Sequence, residues 1–181
     1  AYLASLGGDG TSGSIPYTTP YKSDEQEIPD EEWPDTAMVY EAFLATGDFG
    51  EYNTLAVNVV ERDTPIVSQQ KVTSVSVRLY RMEHNEILSS KASGKIDLVS
   101  SDPHDVLIIF DEGYVSIKGN IGYEDFTGEL AFADGTTKRF SAQAVAVSIC
   151  PDCRGSGLIG EETDPRCSGI GSLALHDGLT L

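Results

Sequence analysis

The three cysteines of this chain lie in one segment near its C-terminus, at a spacing that suits a metal ion. Residues 150–157 read Cys-Pro-Asp-Cys-Arg-Gly-Ser-Gly, and residues 164–171 read Asp-Pro-Arg-Cys-Ser-Gly-Ile-Gly. The second sequence repeats the Cys-x-x-Cys-x-Gly-x-Gly pattern of the first, with Asp in place of the leading Cys. Two thiolates this close together can bind one ion only where the backbone turns sharply, and alternating glycines permit the positive φ that such a turn needs. The repeat therefore predicts a metal-binding knuckle.

Four side chains of this segment would complete a tetrahedral zinc site: Cys150, Cys153, Cys167 and Asp164. Carboxylate oxygen is an accepted zinc donor, and His176 is the alternative fourth ligand. With all four positions filled by protein, none is left for water or substrate, so the expected cofactor is one structural zinc ion. Two other interpretations stay open from the sequence: a Cys150–Cys153 disulfide, and reduced thiols in a glycine-rich loop that no longer binds metal.

The repeat resembles the cysteine-rich zinc module of DnaJ-type co-chaperones, whose unit is Cys-x-x-Cys-x-Gly-x-Gly. The resemblance covers residues 150–171 and implies zinc held by the cysteines of paired repeats. It places Cys150, Cys153 and Cys167 on ligand positions and Asp164 on a cysteine position. The positions that match the glycines of that module are Gly155, Gly157, Gly169 and Gly171. The His-Pro-Asp motif of the helical J-domain does not occur in the sequence.

Length and charge limit the kinds of partner. The 181 residues suffice for one domain with extensions, since a domain of about 150 residues already buries roughly 70% of its unfolded surface. The net charge of −17 disfavours binding to nucleic-acid phosphates or anionic lipid, because both depend on a cationic surface. No apolar run of about 18 residues is present, so no membrane span is expected. The expected partners are other protein subunits, including copies of the same chain.

Residues with catalytic chemistry are few. The sequence contains no Gly-x-Ser-x-Gly elbow, no phosphate-binding P-loop and no His-Glu-x-x-His motif. His84 and His104 each lie among acidic residues, a mixture that is typical of solvated loop tips. We therefore expect no catalytic residues and no enzymatic activity.

Residues 1–36 differ from the rest of the chain. They are rich in glycine and proline and end in an acidic run, so they cannot bury enough apolar area to offset the entropy of ordering. Isolated anchors such as Tyr17, Tyr21 and Trp33 suit an extended arm that binds neighbouring subunits as a strap. The alternative is an arm that packs on its own domain.

Residues 37–149 show the alternation of β-strands. Val75, Val77 and Leu79 alternate with polar residues, and Val145 and Val147 continue the pattern farther along. Asp and Gly at residues 111–113 and 133–135 favour tight hairpin turns. The strands expected outside these two runs are 38–45, 54–61, 66–70, 86–92, 95–100, 106–110, 114–118, 122–132 and 136–144.

Many short strands with hairpin turns predict an all-β fold, an antiparallel β-sandwich or barrel of roughly eight to ten strands. Residues 150–181 would form the knuckle and a tail after the last strand, which is expected to end at Ile149. The residues expected in the core are Val75, Val77, Leu79, Ile96, Leu98, Leu107, Ile109, Val115, Ile117, Val145 and Val147.

Two functions fit these features. The first is a non-enzymatic structural subunit of a large assembly, such as a virion decoration, connector or tail protein that uses residues 1–36 as an inter-subunit strap. The second is a soluble zinc-knuckle accessory factor that binds other proteins during folding or assembly, located in the cytoplasm or in an organelle interior after removal of a targeting peptide. Fold class and charge do not discriminate between them.

Overall fold

The computed structural model describes residues 38–63, 71–100, 105–110, 114–122 and 124–181. All secondary structure in these ranges is β, which confirms the all-β prediction. The first eight strands are β1 (Met38–Phe49), β2 (Tyr52–Asp63), β3 (Lys71–Glu83), β4 (Glu86–Ser100), β5 (Asp105–Ile109), β6 (Tyr114–Ile121), β7 (Asp125–Phe132) and β8 (Thr137–Val145). Five shorter strands follow: β9 (Val147–Ile149), β10 (Leu158–Ile159), β11 (Glu162–Thr163), β12 (Ser172–His176) and β13 (Leu179–Thr180). Within the described ranges, no helix is long and apolar enough to cross a lipid bilayer.

Strands β1 to β8 form one antiparallel, nearly closed, barrel-like sheet. The strand order is β4-β3-β2-β1-β8-β7-β6-β5, so neighbours in sequence are neighbours in the sheet and β1 pairs with β8. Phe43 of β1, for example, lies opposite Val57 of β2 and Ala144 of β8. Strands β4 and β5 are the two edges, and the gap between them is the open seam of the barrel.

One face of this sheet is apolar and forms the interior of the barrel. Its largest fully buried side chains include Phe43, Phe126 and Leu130, and the rings of Phe126 and Phe140 stack with their centroids 5.9 Å apart. Each large apolar side chain that leaves water contributes about 1.5–3 kcal/mol. The predicted core residues Val75, Val77, Leu79 and Ile117 are in this interior, and Ile96 and Leu98 pack against it partly buried.

Strand β5 has the opposite orientation to the one that the sequence predicts. Leu107 and Ile109, two of the predicted core residues, are 55% and 64% exposed. Val106 and Ile108 point inward instead and are almost fully buried. Because residues 106–109 are all aliphatic, a period of two fits either face, and hydrophobicity alone does not select one.

Two other residues that were predicted for the core lie outside the barrel interior. Val145 and Val147 are partly buried and pack on the outer face of the barrel, not in its interior. The side chain of Val115, the strand expected at 66–70, the turn expected at 111–113 and the arm expected at 1–36 lie outside the described residues.

Two of the predicted strands form a single strand in the structure. The strands expected at 86–92 and 95–100 are one strand, β4, with a register shift near Gly94, whose φ is +82°. A bulge of this kind inserts a residue without ending the strand, although in the sequence pattern it resembles a break. The turn at Asp134 and Gly135 is confirmed, since the Thr136 amide donates to Asp134 Oδ1 at 2.9 Å.

The strands continue after Ile149, where the sequence predicts that they end. Strand β9 pairs with β12 and β12 with β13, while β10 and β11 form a hairpin between them. Residues 150–171, here called the Cys/Gly unit, are thus held between β9 and β12. The C-terminal strands pack on the outer face of β1 to β3, where Ala174 and Leu181 contact Ala42, Leu44 and Tyr80.

Candidate metal centre

The Cys/Gly unit consists of two loops with the same backbone course. Loop A is residues 150–157 and loop B is residues 164–171, and both have positive φ at three equivalent positions. In loop A these are Arg154 (54°), Gly155 (91°) and Gly157 (81°), and in loop B they are Ser168 (55°), Gly169 (81°) and Gly171 (93°). Glycine adopts this region without steric cost, which explains why it recurs at the later two positions.

Reciprocal backbone hydrogen bonds join the two loops. The Asp164 amide donates to Gly157 O at 2.9 Å, and the Cys150 amide donates to Gly171 O at 2.9 Å. A Cβ atom on Gly157 would overlap the carbonyl of Gly169, and one on Gly171 would overlap the carbonyl of Gly155. The loops therefore pack backbone against backbone, and this contact brings their leading residues together.

The four predicted ligands converge at the junction of the loops. One ligand atom from each of Cys150, Cys153, Cys167 and Asp164 lies within 4.8 Å of the others, and all four residues are buried. The Sγ atoms of Cys153 and Cys167 are 3.6 Å apart. Tetrahedral zinc with Zn–S bonds of about 2.3 Å separates its sulfurs by about 3.8 Å, so the donors already have a suitable spacing.

The disulfide alternative does not match this geometry. All three cysteines are free. Sγ of Cys150 donates instead to Oδ2 of Asp164 at 3.2 Å, so it lies against the carboxylate. A disulfide requires sulfurs about 2.05 Å apart.

Backbone amides point at the ligand atoms. The Gly157 amide donates to Sγ of Cys153 and the Gly171 amide to Sγ of Cys167, both at 3.2 Å. The Arg166 amide donates to Oδ1 of Asp164 at 2.8 Å. Such outer contacts orient the ligands of a metal and stabilise their anionic forms.

Binding of a cation would change the protonation of the cluster. Burial raises the pKa of the Cys150 thiol, and it raises that of Cys167 to about 11. Burial opposes ionisation of Asp164 as well, but the Arg166 amide, the Cys150 thiol that donates to its carboxylate and the neighbouring thiols of Cys153 and Cys167 lower its pKa overall. A zinc ion must displace the thiol protons, so its binding would release protons and place positive charge beside a buried carboxylate.

The histidines do not join this cluster. Nε2 of His176 lies 3.7 Å from Oδ2 of Asp177 at the end of β12, and His176 is absent from the group of four that the described residues form. It lines a separate open cleft together with His84, which occupies an exposed turn with φ +52°. The prediction of His176 as an alternative ligand is therefore not supported, and His104 lies outside the described residues.

Two barrel residues that the sequence did not single out hold the Cys/Gly unit in place. The Tyr40 hydroxyl donates to Gly155 O at 2.8 Å in a fully buried hydrogen bond. Nη2 of Arg78 donates to Ser168 Oγ at 3.0 Å and also to Pro165 O. Both side chains project from the outer face of the barrel, so the unit packs against that face. The alternation of Arg78 with Val77 and Leu79 was visible in the sequence, but the distant partners of Tyr40 and Arg78 were not.

The arrangement is suited to holding an ion. Its four donors face one another, and none has appreciable contact with solvent. Comparison of the chain with protein-family models, with curated proteins and with solved structures finds no match. The function is therefore inferred from the chemistry and geometry of this site and from the surfaces around it.

Proposed function

We propose that the protein is a non-enzymatic structural subunit whose C-terminal region is fixed to the barrel by one zinc ion. The buried group of Cys150, Cys153, Cys167 and Asp164 carries this proposal, because it supplies four donors at zinc-compatible spacing. Thiolate and carboxylate donors together favour zinc over the hard cations magnesium and calcium, which take oxygen ligands.

A structural role follows from the completeness of the donor set. Catalytic zinc sites keep one coordination position for water or substrate, whereas structural sites are closed by four protein ligands. Here the four side chains are between 0% and 7% exposed, so a bound ion would be out of reach of a substrate.

The Cys/Gly unit needs such a cross-link. Its apolar contacts are few: the three cysteines cluster with Leu173 of β12, and Ile170 packs on Tyr40 and Val60 of the barrel. The Leu158 and Ile159 side chains of its hairpin are each 50% exposed. So few apolar contacts provide little to offset the conformational entropy of 22 residues. Removing zinc should therefore loosen this unit, while the barrel keeps its own interior core.

The wider role that we propose is that of a subunit in a large assembly, such as a virion decoration, connector or tail protein. Support comes from the filled barrel interior, which leaves the outer surfaces for contacts, and from the net charge of −17, which disfavours nucleic acid as the partner. Protein subunits, including copies of this chain, are the proposed partners.

Metal analysis of the purified protein tests the zinc site. We expect about one equivalent of zinc, and replacement by cobalt should give the intense visible absorption of tetrahedral thiolate coordination. Asp164→Asn should weaken retention of the metal. Asp152→Asn is the matched control, since Asp152 lies in the same unit but its exposed carboxylate lies 3.5 Å from Arg166 and not among the four donors. Less than about half an equivalent of zinc, or equal retention by both variants, would reject the site.

A second function, that of a protein-binding accessory factor, is favoured by one observation. The β10–β11 hairpin presents Leu158 and Ile159 at consecutive positions of β10, each 50% exposed. Suppression of aggregation of a chemically unfolded client protein tests it. Activity that depends on zinc and is lost in Leu158→Ser would support this function, and no suppression by the wild-type protein would contradict it.

A further inference from the structure

Two thiols of the Cys/Gly unit lie against each other across the junction of its loops. Sγ of Cys153, in loop A, is 3.6 Å from Sγ of Cys167, in loop B. The two residues are equivalent in the repeat, since each is the fourth residue of its loop and comes immediately before a residue with positive φ. A disulfide bond of about 2.05 Å would need the sulfur atoms to approach by roughly 1.5 Å, which is within the range of side-chain rotation.

The third thiol is directed elsewhere. Sγ of Cys150 donates to Oδ2 of Asp164 at 3.2 Å, so its proton is held by the carboxylate. Cys150 is also fully buried, whereas Cys153 is 7% exposed and is the most accessible of the three cysteines. A small oxidant that enters the cluster therefore meets Cys153 first, and Cys167 is the thiol in contact with it.

We propose that Cys153 and Cys167 are a redox modification site, at which hydrogen peroxide oxidises the metal-free thiols to a disulfide that links loop A to loop B. The pair contains the accessible thiol that would react with the oxidant and the neighbouring thiol that would resolve the product. This is the usual division of roles in a cysteine pair that responds to peroxide.

The oxidation proceeds in two balanced steps. Sγ of Cys153 attacks one oxygen of hydrogen peroxide, the O–O bond breaks, and a sulfenic acid forms with release of one water molecule. Sγ of Cys167 then attacks the sulfenic sulfur, the S–O bond breaks, and the displaced hydroxide takes up the thiol proton and leaves as a second water molecule. Together the two thiols lose two electrons and two protons, and one peroxide is reduced to two water molecules.

The disulfide would replace one cross-link of the unit by another. Once Cys153 and Cys167 are joined, only Cys150 and Asp164 remain as donors, and two donors do not complete a four-coordinate zinc site. Oxidation would thus exclude the ion while the new bond keeps the loops together. A bond between Cys150 and Cys153 would lie within loop A and would leave the two loops unlinked. The consequence for zinc rests on the function proposed above, but the pairing of the thiols does not.

Disulfide mapping of the full chain by mass spectrometry tests the proposal. The protein is reduced, freed of metal with a chelator and treated with one equivalent of hydrogen peroxide. We expect the Cys153–Cys167 disulfide as the main product, with Cys150 left as a free thiol. In a second sample that is first loaded with zinc, each disulfide formed should release one zinc ion, which a chromophoric chelator measures.

Two variants separate this pairing from general oxidation. Cys150→Ser is the matched control, since it removes a thiol of the same cluster and should form the same disulfide at a rate close to that of the wild-type protein. Cys167→Ser removes the resolving thiol, so the sulfenic acid of Cys153 should persist. Dimedone, which labels sulfenic acids, should modify this variant at least about tenfold more than the wild-type protein. Thermal unfolding shows whether the barrel of each variant remains folded.

Three results would overturn the proposal: a main disulfide that includes Cys150, equal yields of the three possible pairings, or dimedone labelling of Cys167→Ser no higher than that of the wild-type protein. Zinc content before oxidation is measured separately. One equivalent of zinc together with a disulfide to Cys150 would reject the redox site alone. A Cys153–Cys167 disulfide in a protein that binds no zinc would reject the metal site alone.

Discussion

Asp164 occupies in loop B the position that Cys150 occupies in loop A. The Asp164 amide donates to Gly157 O and the Cys150 amide donates to Gly171 O, each at 2.9 Å. Their side chains meet across the pseudo-two-fold relation of the loops, with Cys150 Sγ 3.2 Å from Asp164 Oδ2. The backbone therefore presents a carboxylate where the symmetric arrangement would present a fourth thiolate.

This symmetry predicts that Asp164→Cys creates a four-cysteine site without moving the backbone. We expect the variant to bind zinc at least as tightly as the wild-type protein, because thiolate is a preferred zinc donor and the Cys position is already built. Asp164→Ala, which removes a ligand, should weaken zinc retention by more than about 100-fold, beyond the 10–100-fold typical of outer contacts. Competition with a chromophoric chelator measures both. Weaker binding by Asp164→Cys would show that the carboxylate is required for another reason.

Two glycines of the loops should be irreplaceable for steric reasons. In Gly157→Ala or Gly171→Ala the new methyl group would overlap the carbonyl of the opposite loop, which would separate the loops and disperse the ligands. Gly160→Ala is the matched control, because Gly160 also has a positive φ (+67°) but has no atom within 4 Å of the position that the new methyl carbon would occupy.

We expect the first two variants to lose zinc and Gly160→Ala to retain it, with a cost near 1 kcal/mol for the backbone strain alone. Metal content and thermal unfolding of the three proteins provide the comparison. Equal losses in all three would mean that positive φ, and not the close approach of the loops, is what the glycines provide.

Tyr40 should make the stability of the Cys/Gly unit depend on pH in the alkaline range. Burial, with smaller contributions from Cys153 and Cys167 and against the effect of Arg62, raises the pKa of Tyr40 from 10.0 to about 12. The folded state therefore favours the protonated hydroxyl, which donates to Gly155 O. The contribution of the protonated Tyr40 hydroxyl to the free energy of unfolding is complete below pH 10 and is lost as pH rises through about 12.

Tyr40→Phe removes this donor and leaves a buried carbonyl unpaired, at a cost of about 1–3 kcal/mol near neutral pH. The difference in unfolding free energy between wild type and variant should shrink between pH 10 and pH 12. Denaturant unfolding at several pH values, with tyrosinate absorbance as the titration signal, measures it. A difference that stays constant across this range would contradict the link.

The sequence was sufficient to identify the four side chains that the structure brings together, because that information is local. Each loop carries its own Cys or Asp, its turn and its glycines within eight residues, so the repeat at 150–157 and 164–171 could be recognised without any tertiary contact. The contacts that hold the Cys/Gly unit on the barrel could not be recognised from the sequence, because their partners are far apart in the chain. Tyr40 and Gly155 are separated by 115 residues, and Arg78 and Ser168 by 90. Strand pairing across the barrel decides which residues of distant segments meet.

The orientation of β5 was unpredictable for a different reason. Alternation identifies the buried face only where polar residues mark the other face, as they do beside Val75 and Val77. In β5 both faces are aliphatic, so pairing with β6 and packing against the interior determine that Ile108 is buried and Ile109 is exposed.

That orientation yields the last prediction, which compares two adjacent isoleucines. Ile108→Ala empties a fully buried site in the barrel interior and should destabilise the fold by about 2–5 kcal/mol, through lost transfer free energy and the cavity left behind. Ile109→Ala, at a position 64% exposed, should change the stability of the fold by no more than about 0.5 kcal/mol. Denaturant unfolding of both variants measures the two costs. Similar costs for the two variants, or a larger cost for Ile109→Ala, would mean that Leu107 and Ile109 form the inward face of β5, and would contradict the orientation of this strand.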